Sequence, residues 1–113
     1  MRDLQKLFYP SAIAVIGASR NEHSVGGTLL SNIIRYGYSG KVYPVNPSAE
    51  TIANIPCFPD VAHIGQPVDL AIIIVPSPAV PDVLTQCGEN HIPHAVIISS
   101  GFGELGDEGK KKE

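Results

Sequence analysis

The hydrophobic pattern of the chain contains four short apolar segments, three of which run without polar alternation. The segments are residues 12–16, 41–45, 70–75 and 95–98. Continuous apolar segments of this length are typical of strands that helices cover on both faces. They therefore predict four strands of a parallel sheet.

Two amphipathic helices are predicted between these strands. In residues 25–36, apolar side chains recur at steps of three and four, with Ser24 suited to cap the helix and Gly37 suited to end it. Residues 78–89 repeat the pattern and place Cys87 on the apolar face, where we expect it to fill the core. The apolar face of the first helix comprises Val25, Leu29, Leu30, Ile33 and Ile34. Strands that alternate with helices predict an α/β fold with a doubly wound parallel sheet.

The remaining segments are less regular. Prolines between the second and third strands exclude a long helix there, but Asp60 can cap one short turn over residues 60–64. After the fourth strand, residues 104–113 have the pattern of the first turns of another helix. We therefore expect one domain over residues 1–113, lacking its C-terminal part and belonging to a longer protein.

A glycine-containing loop, residues 17–27, joins the first strand to the first helix. Glycines permit a tight turn, and the start of a helix offers N–H donors and a positive dipole, so this segment predicts a phosphate site. It departs from the dinucleotide pattern G-x-G-x-x-G, because Ser19 and Glu22 occupy two glycine positions. The second strand also ends at Asn46 without the acid that binds ribose hydroxyls. These departures disfavour a dinucleotide, and a tight turn without a ligand remains the alternative.

Ligands of open parallel sheets bind at the carboxyl ends of the strands, where four segments of this chain are expected to meet. These segments are Gly17-Ala18-Ser19-Arg20, Asn46-Pro47-Ser48, Pro76-Ser77-Pro78 and Ser99-Ser100-Gly101-Phe102. None of them pairs a nucleophile with a base or clusters metal ligands, so we predict no catalytic or metal-binding residue. Arg20 is suited to a phosphate but is equally interpreted as an exposed loop charge.

The histidines are interpreted in the same way. His23 lies in the glycine loop, within reach of a ligand. His63, His91 and His94 fall in or beside predicted helix ends, where we expect structural or solvent-facing roles. With no acid or thiol partner recognisable, none is predicted to be catalytic.

Composition narrows the classes of partner. A net charge of -3, with the only cationic run at residues 110–112, gives no reason to expect nucleic acid. The longest apolar stretch, residues 70–75, is far shorter than the ~20 residues of a membrane span, and the N-terminus lacks the apolar core of a secretory signal. Two cysteines, Cys57 in a loop and Cys87 in a helix, are too few for a metal set and fit a reducing cytoplasm.

Several segments, in one order and over nearly the whole chain, resemble a known family. The segments are Leu7-Phe8-Tyr9-Pro10, Ile13-Ala14-Val15-Ile16-Gly17-Ala18-Ser19, Val25-Gly26-Gly27, residues 40–47, residues 69–72 and residues 98–104. They resemble the N-terminal CoA-binding domain of the NDP-forming acyl-CoA synthetases. This group includes the ADP-forming acetate–CoA ligases and is related to the α subunit of succinyl-CoA synthetase.

The resemblance implies a Rossmann-like CoA-binding domain of an acid–CoA ligase. Such a ligase interconverts acyl-CoA, ADP and phosphate with the free acid, CoA and ATP. A later domain carries a phosphohistidine, and an ATP-grasp domain or subunit binds ATP or ADP with Mg. Since these parts lie outside the 113 residues, we expect the chain alone to bind CoA or acyl-CoA and to catalyse nothing. The intact protein is expected to be an oligomer.

Site residues follow from the resemblance, motif by motif. Gly17, Ala18, Ser19 and Arg20 are expected to hold CoA phosphates, with Val25 and Gly26 closing the loop. Asn46 and Pro47 are expected near the nucleotide end. Val75, Pro76 and Ser77 are expected along the pantetheine arm, and Ser99, Ser100, Gly101 and Phe102 near the thiol.

One position departs from the family pattern. Family members often carry a basic residue after the Asn-Pro pair, suited to the CoA 3′-phosphate, whereas this chain has Ser48. Arg20 and Lys41 are the candidates to replace it. The same domain also heads bacterial protein acetyltransferases, so the ligase-like region of a lysine acetyltransferase and a stand-alone regulatory CoA-binding module remain alternatives. An NAD(P)-binding domain is the third alternative, disfavoured by the loop.

Overall fold

The computed structural model describes residues 8–21 and 23–98, and a four-stranded parallel sheet lies at its centre. Its strands, in spatial order, are β2 (Lys41–Val45), β1 (Ala12–Ile16), β5 (Leu70–Ile73) and β6 (His94–Ile97). The chain starts in the middle, runs outward to β2, and then crosses back past β1 to build the other half. This order confirms the predicted doubly wound, Rossmann-like α/β fold.

Helix α1 (Val25–Arg35) connects β1 to β2, and helix α2 (Val80–Glu89) connects β5 to β6. The Oγ of Ser24 accepts a hydrogen bond from the Gly27 N–H at 3.0 Å, which confirms the predicted cap. Gly37 takes a φ of 78° after the last turn, the conformation that glycine adopts most easily. A short 3-10 turn, Ser77–Ala79, occupies the predicted start of the second helix.

The connection from β2 to β5 contains one predicted feature and one that was missed. Asp60 caps a 3-10 turn, Val61–His63, by accepting the His63 N–H at 3.0 Å. A small antiparallel hairpin, β3 (Thr51–Ile52) and β4 (Ile55–Pro56), precedes it. Strands of two residues are too short to show a period, and the turn is formed by Ala53 and Asn54, with φ of 54° and 66°, not by the usual Asn-Gly pair.

Two apolar clusters cover the two faces of the sheet. On one face, Leu30 of α1 packs against Ile13 and Val15 of β1. On the other, Cys87 of α2 packs against Ala14 and its neighbours, so the predicted core position of this cysteine is confirmed. Because β1 supplies both clusters, all five of its residues are buried.

The face that α1 turns towards the sheet matches the predicted one in part, since Leu29, Leu30 and Ile33 pack against the core as predicted. Val25 and Ile34 are 46% and 42% exposed, whereas Gly26 and Gly27 are buried. The reason is steric, since a Cβ atom at Gly26 would overlap the carbonyl oxygen of Gly17. The first turn of the helix is therefore packed through its glycines, and Val25 beside them is exposed.

The predicted ends of two strands also shift. β5 ends at Ile73, two residues early, and β6 starts at His94, one residue early. His94 thus lies in a strand and not beside a helix end. The expected segments at residues 99–103 and 104–113 lie outside the described residues.

The outer strand β6 is open to solvent in the described part of the chain. Its residues Val96 and Ile97, and the following Ile98, are 38–45% exposed. No helix within residues 8–21 and 23–98 has the length and apolar character needed to cross a bilayer.

Two glycine-to-alanine substitutions test the close packing of α1. Gly26→Ala places a methyl group against the Gly17 carbonyl and should destabilise the fold by about 1–3 kcal/mol. Gly88→Ala, in α2, meets nothing within 4 Å and should stabilise it by about 0.5–1 kcal/mol. Urea unfolding followed by circular dichroism measures both changes, and two shifts of the same sign would contradict the packing described here.

Candidate functional site

The carboxyl ends of β1, β2 and β5 meet at one edge of the sheet. The chain leaves β1 towards α1 on one face and leaves β5 towards α2 on the other face. In open α/β sheets, ligands bind in the crevice that opens between two such diverging connections. This edge is therefore the place to look for a site.

The glycine loop begins in a tightly enclosed position. The N–H of Gly17 donates to the carbonyl oxygen of Val45 at 3.1 Å, and a Cβ atom on Gly17 would overlap the carbonyl of Ile74. Its φ of 99° is also one that side-chain-bearing residues rarely adopt. The loop is thus fixed between the neighbouring strand ends on both sides.

Farther along, the loop is organised by its own polar side chains. The Oγ of Ser19 accepts the Asn21 N–H at 3.0 Å, and the Oδ1 of Asn21 accepts the His23 N–H at 2.9 Å. The Ser24 hydroxyl donates to the Asn21 carbonyl at 2.7 Å and also caps α1. The loop therefore leads directly into α1, and the first N–H groups of a helix have no partners within the helix.

Asn46 joins the glycine loop to the turn that follows β2. Its Nδ2 donates to the Ala18 carbonyl at 2.9 Å, and its Oδ1 accepts the Ser48 N–H at 2.7 Å. Its own N–H donates to the Phe58 carbonyl at 2.8 Å. Both ends of the side-chain amide bind protein atoms, so Asn46 positions the two loops relative to each other.

A cavity of about 360 Å³ opens beside this joint. Six predicted site residues line it, namely Gly17, Ala18, Ser19, Asn46, Pro47 and Val75. Three further residues come from the connection between β2 and β5 (Pro59, Asp60, Val61), and two come from α2 (Val83, Gln86). Sequence reasoning found the Asp60 cap but not its place here, because that place depends on the crossover over the sheet edge.

A larger cavity, of about 550 Å³, lies at the opposite edge of the sheet. It is lined by residues before β5, including Val68 and Asp69, and by the segment after α2, including His91. Since ligands of parallel sheets bind at the carboxyl ends, the smaller cavity is the better candidate.

Among the described residues, those that line the cavity beside the glycine loop include the carboxylate of Asp60 and no lysine or arginine. Oδ1 of Asp60 lies 2.7 Å from Nδ1 of His63 and also accepts the backbone N–H of that residue. Hydrogen bonding from the His63 side chain holds the pKa of the Asp60 carboxyl below its ordinary value of 3.8. The Asp60 side chain is 41% exposed, so this carboxylate lies at the rim of the cavity and is paired with His63.

Arg20 extends from the glycine loop to the hairpin. Its Nε donates to the Thr51 carbonyl at 3.1 Å. Lys41, the other candidate for the missing basic position, starts β2 and so lies about 13 Å along the strand from Val45, at the opposite edge. Lys41 thus lies away from the carboxyl edge of the sheet, whereas Arg20 lies in the loop that starts at that edge.

Cys57 follows the hairpin and lies half-buried near the same loops. Burial raises the pKa of its thiol, and backbone hydrogen bonding at Asn46 and Phe58 and the positive charge of Arg20 oppose that shift. The thiol is therefore held largely protonated at neutral pH.

The other predicted site residues are spread around the edge. Val25 and Gly26 form the first turn of α1, while Pro76 and Ser77 lead into α2 without lining the cavity. Ser99, Ser100, Gly101 and Phe102 lie outside the described residues. His23 is exposed in the loop, and the described residues contain no group of three or more metal-ligating side chains.

Comparisons with known proteins agree on one family. The model of the CoA binding domain matches residues 11–109. The chain is 46% identical to acetate–CoA ligase (ADP-forming) II of Archaeoglobus fulgidus, over 98% of the chain and 16% of that protein. It is also 46% identical to the α subunit of acetate–CoA ligase (ADP-forming) I of Pyrococcus furiosus, over 97% of the chain and 25% of the subunit.

Solved structures point the same way. Acetyl-coenzyme A synthetase 1 of Candidatus Korarchaeum cryptofilum, in complex with phosphate and ADP, superposes with a TM-score of 0.85. The two sequences are 46% identical, over 96% of this chain and 24% of that one. The chain thus spans between a sixth and a quarter of the length of these relatives.

An isosteric substitution tests the role of Asn46. Asn46→Asp removes the Nδ2 donor and places a carboxylate against the Ala18 carbonyl, which should cost about 1–3 kcal/mol at pH 7. That carboxylate titrates above its ordinary pKa, and its protonated form can donate again, so the loss relative to wild type should shrink as the pH falls through the folded-state pKa. Urea unfolding at several pH values measures the loss. Asn32→Asp, on the exposed face of α1, is the control. A loss of stability in Asn46→Asp that stays constant with pH would contradict the proposed role of the Asn46 amide.

Proposed function

This chain belongs to the family of CoA-binding domains, and from that membership we propose that the crevice at the carboxyl edge of its sheet binds coenzyme A. The observation that carries the proposal is the close approach of the glycine loop to the start of α1. The two backbones lie so close that a Cβ atom at Gly26 would overlap the Gly17 carbonyl oxygen. A cradle of bare backbone beside a helix start is suited to phosphate groups.

The parts of CoA fit the parts of the crevice. The diphosphate lies at the start of α1, against Gly17, Ala18 and Ser19, where the N–H groups of Val25 and Gly26 point outwards from the helix. A neutral part of the molecule enters the cavity, since its described lining contains apolar side chains such as Val61, Val75 and Val83 and no lysine or arginine.

The two ends of CoA extend in opposite directions along the edge. The nucleotide end lies beside Asn46 and Pro47, on the β2 side. The pantetheine arm passes Val75, Pro76 and Ser77 and continues towards residues 99–102. This direction follows the general rule that the nucleotide of a doubly wound fold extends from the first loop to the end of the second strand.

The whole protein, we infer, is an ADP-forming acid–CoA ligase that interconverts acyl-CoA, ADP and phosphate with acid, CoA and ATP. The likeness to ADP-forming acetate–CoA ligases, at 46% identity over nearly all of the chain, supports this assignment. The residues described here bind and orient CoA. The phosphoryl-carrying histidine and the site for ATP, ADP and Mg belong to other parts of an oligomeric, cytoplasmic enzyme.

We further propose that residues 1–113 form the start of a domain whose sheet is covered by additional chain. The support comes from β6 and the residue after it, since Val96, Ile97 and Ile98 are 38–45% exposed. Strands of a parallel sheet are usually covered on both faces, as β1 is here.

Calorimetric titration with CoA and NAD tests whether the protein binds CoA. Substitution of one glutamine in each of the two cavities then tests where CoA binds. Gln86→Trp fills the cavity beside the glycine loop and should weaken CoA binding by about tenfold or more, equivalent to about 1.4 kcal/mol. Gln66→Trp alters the cavity at the opposite edge and should leave CoA binding unchanged. Binding of NAD without a response to CoA would refute the proposal, and sensitivity to Gln66→Trp alone would move the site.

A further inference from the structure

We propose that Arg20 recognises a phosphate on the adenosine ribose of the bound nucleotide and so sets the preference for CoA over dephospho-CoA. This inference rests on the proposed function, because it assigns one contact within the same site. It also replaces the missing basic residue at position 48 with a cation from a different loop.

The anchoring of Arg20 leaves the end of its side chain available. Nε is occupied by the Thr51 carbonyl at 3.1 Å. The terminal nitrogens Nη1 and Nη2 have no protein hydrogen-bond partner among residues 8–21 and 23–98. A guanidinium group that is held at one corner keeps a planar pair of donors, which matches two oxygens of one phosphate group.

The anchor also determines where the guanidinium lies. Thr51 starts β3, three residues after the Asn46–Ser48 turn that ends β2. The positive charge of Arg20 also opposes the rise in the pKa of Cys57, the residue that follows the hairpin. In doubly wound folds the adenosine ribose lies at the end of the second strand, and an arginine there accommodates a ribose phosphate.

The distribution of charge points to the same residue. Arg35 lies in the last turn of α1 and Lys41 at the start of β2, so both are at the amino edge of the sheet. Among the described residues, Arg20 is the only lysine or arginine at the carboxyl edge of the sheet. The start of α1 can bind the diphosphate, but the ribose phosphate lies away from that helix start. Because a ribose phosphate carries close to two negative charges, it needs a cationic side chain.

The affinity ratio between CoA and dephospho-CoA measures this contact directly, because the two ligands differ only in the ribose phosphate. A charge-assisted pair should make CoA bind about ten- to a hundredfold more tightly in the wild-type protein. Arg20→Met should bring the ratio close to one, with dephospho-CoA affinity retained. Arg20→Lys keeps the charge but loses the Thr51 anchor and should give an intermediate ratio.

Lys41→Met is the matched control, since it removes one positive charge at the other edge of the sheet and should leave the ratio unchanged. Retained binding of dephospho-CoA also shows that each variant is folded. An equal loss of both ligands in Arg20→Met would overturn the inference, because it would assign Arg20 to the diphosphate. A wild-type ratio of one would overturn it as well.

A third pair of ligands separates this inference from the proposed function. NADP and NAD also differ by a phosphate on the adenosine ribose. If NADP binds better than NAD through Arg20 while CoA does not bind, the role of Arg20 stands and the assignment to CoA fails. If none of the four ligands binds, both proposals fail.

Discussion

The site depends on how closely three backbone segments approach one another around Gly17. The residue is enclosed by Val45 at the end of β2, by Ile74 after β5 and by Gly26 at the start of α1. A side chain on either glycine would overlap a carbonyl group, so the approach is possible only without Cβ atoms. Since interiors are close-packed, pushing these segments apart would displace the helix start from the edge where its dipole acts.

A second set of contacts adapts this edge to one kind of ligand. Asn46 ties the glycine loop to the turn after β2, and Arg20 ties the same loop to the hairpin through Thr51. The Asn46 amide uses both of its ends in protein hydrogen bonds. The Arg20 guanidinium, by contrast, has two nitrogens that bind no atom of the described residues. The Asp60 carboxylate, which is paired with His63, lines the same cavity from the connection between β2 and β5.

Most of the fold was predictable because its strands and helices carry long-enough periodic patterns. β1 and β2 start and end where the apolar segments do, and Ser24 and Asp60 cap the turns that they were expected to cap. The orientation of α1 was predictable only in part: Leu29, Leu30 and Ile33 pack as expected, but apolar periodicity gives no weight to glycines that pack by lacking a side chain. The hairpin was missed because strands of two residues have no period.

The candidate site was predictable in its loops but not in its contacts. The glycine loop and the Asn46 turn were found from their positions after strands, and both line the cavity. The sequence could not show that the Asn46 amide is used internally, that Lys41 starts its strand at the wrong edge, or that Asp60 crosses over to the site. Each of these facts depends on contacts between residues distant in sequence, which only the folded chain brings together.

The most direct test of this account is a map of backbone amide NMR shifts during titration with CoA. The account predicts that the largest changes cluster at residues 17–20, 24–26, 46–48 and 75–77, around the carboxyl edge of the sheet. Changes centred instead on residues 65–69 and 89–93, around the cavity of about 550 Å³ at the amino edge, would contradict it.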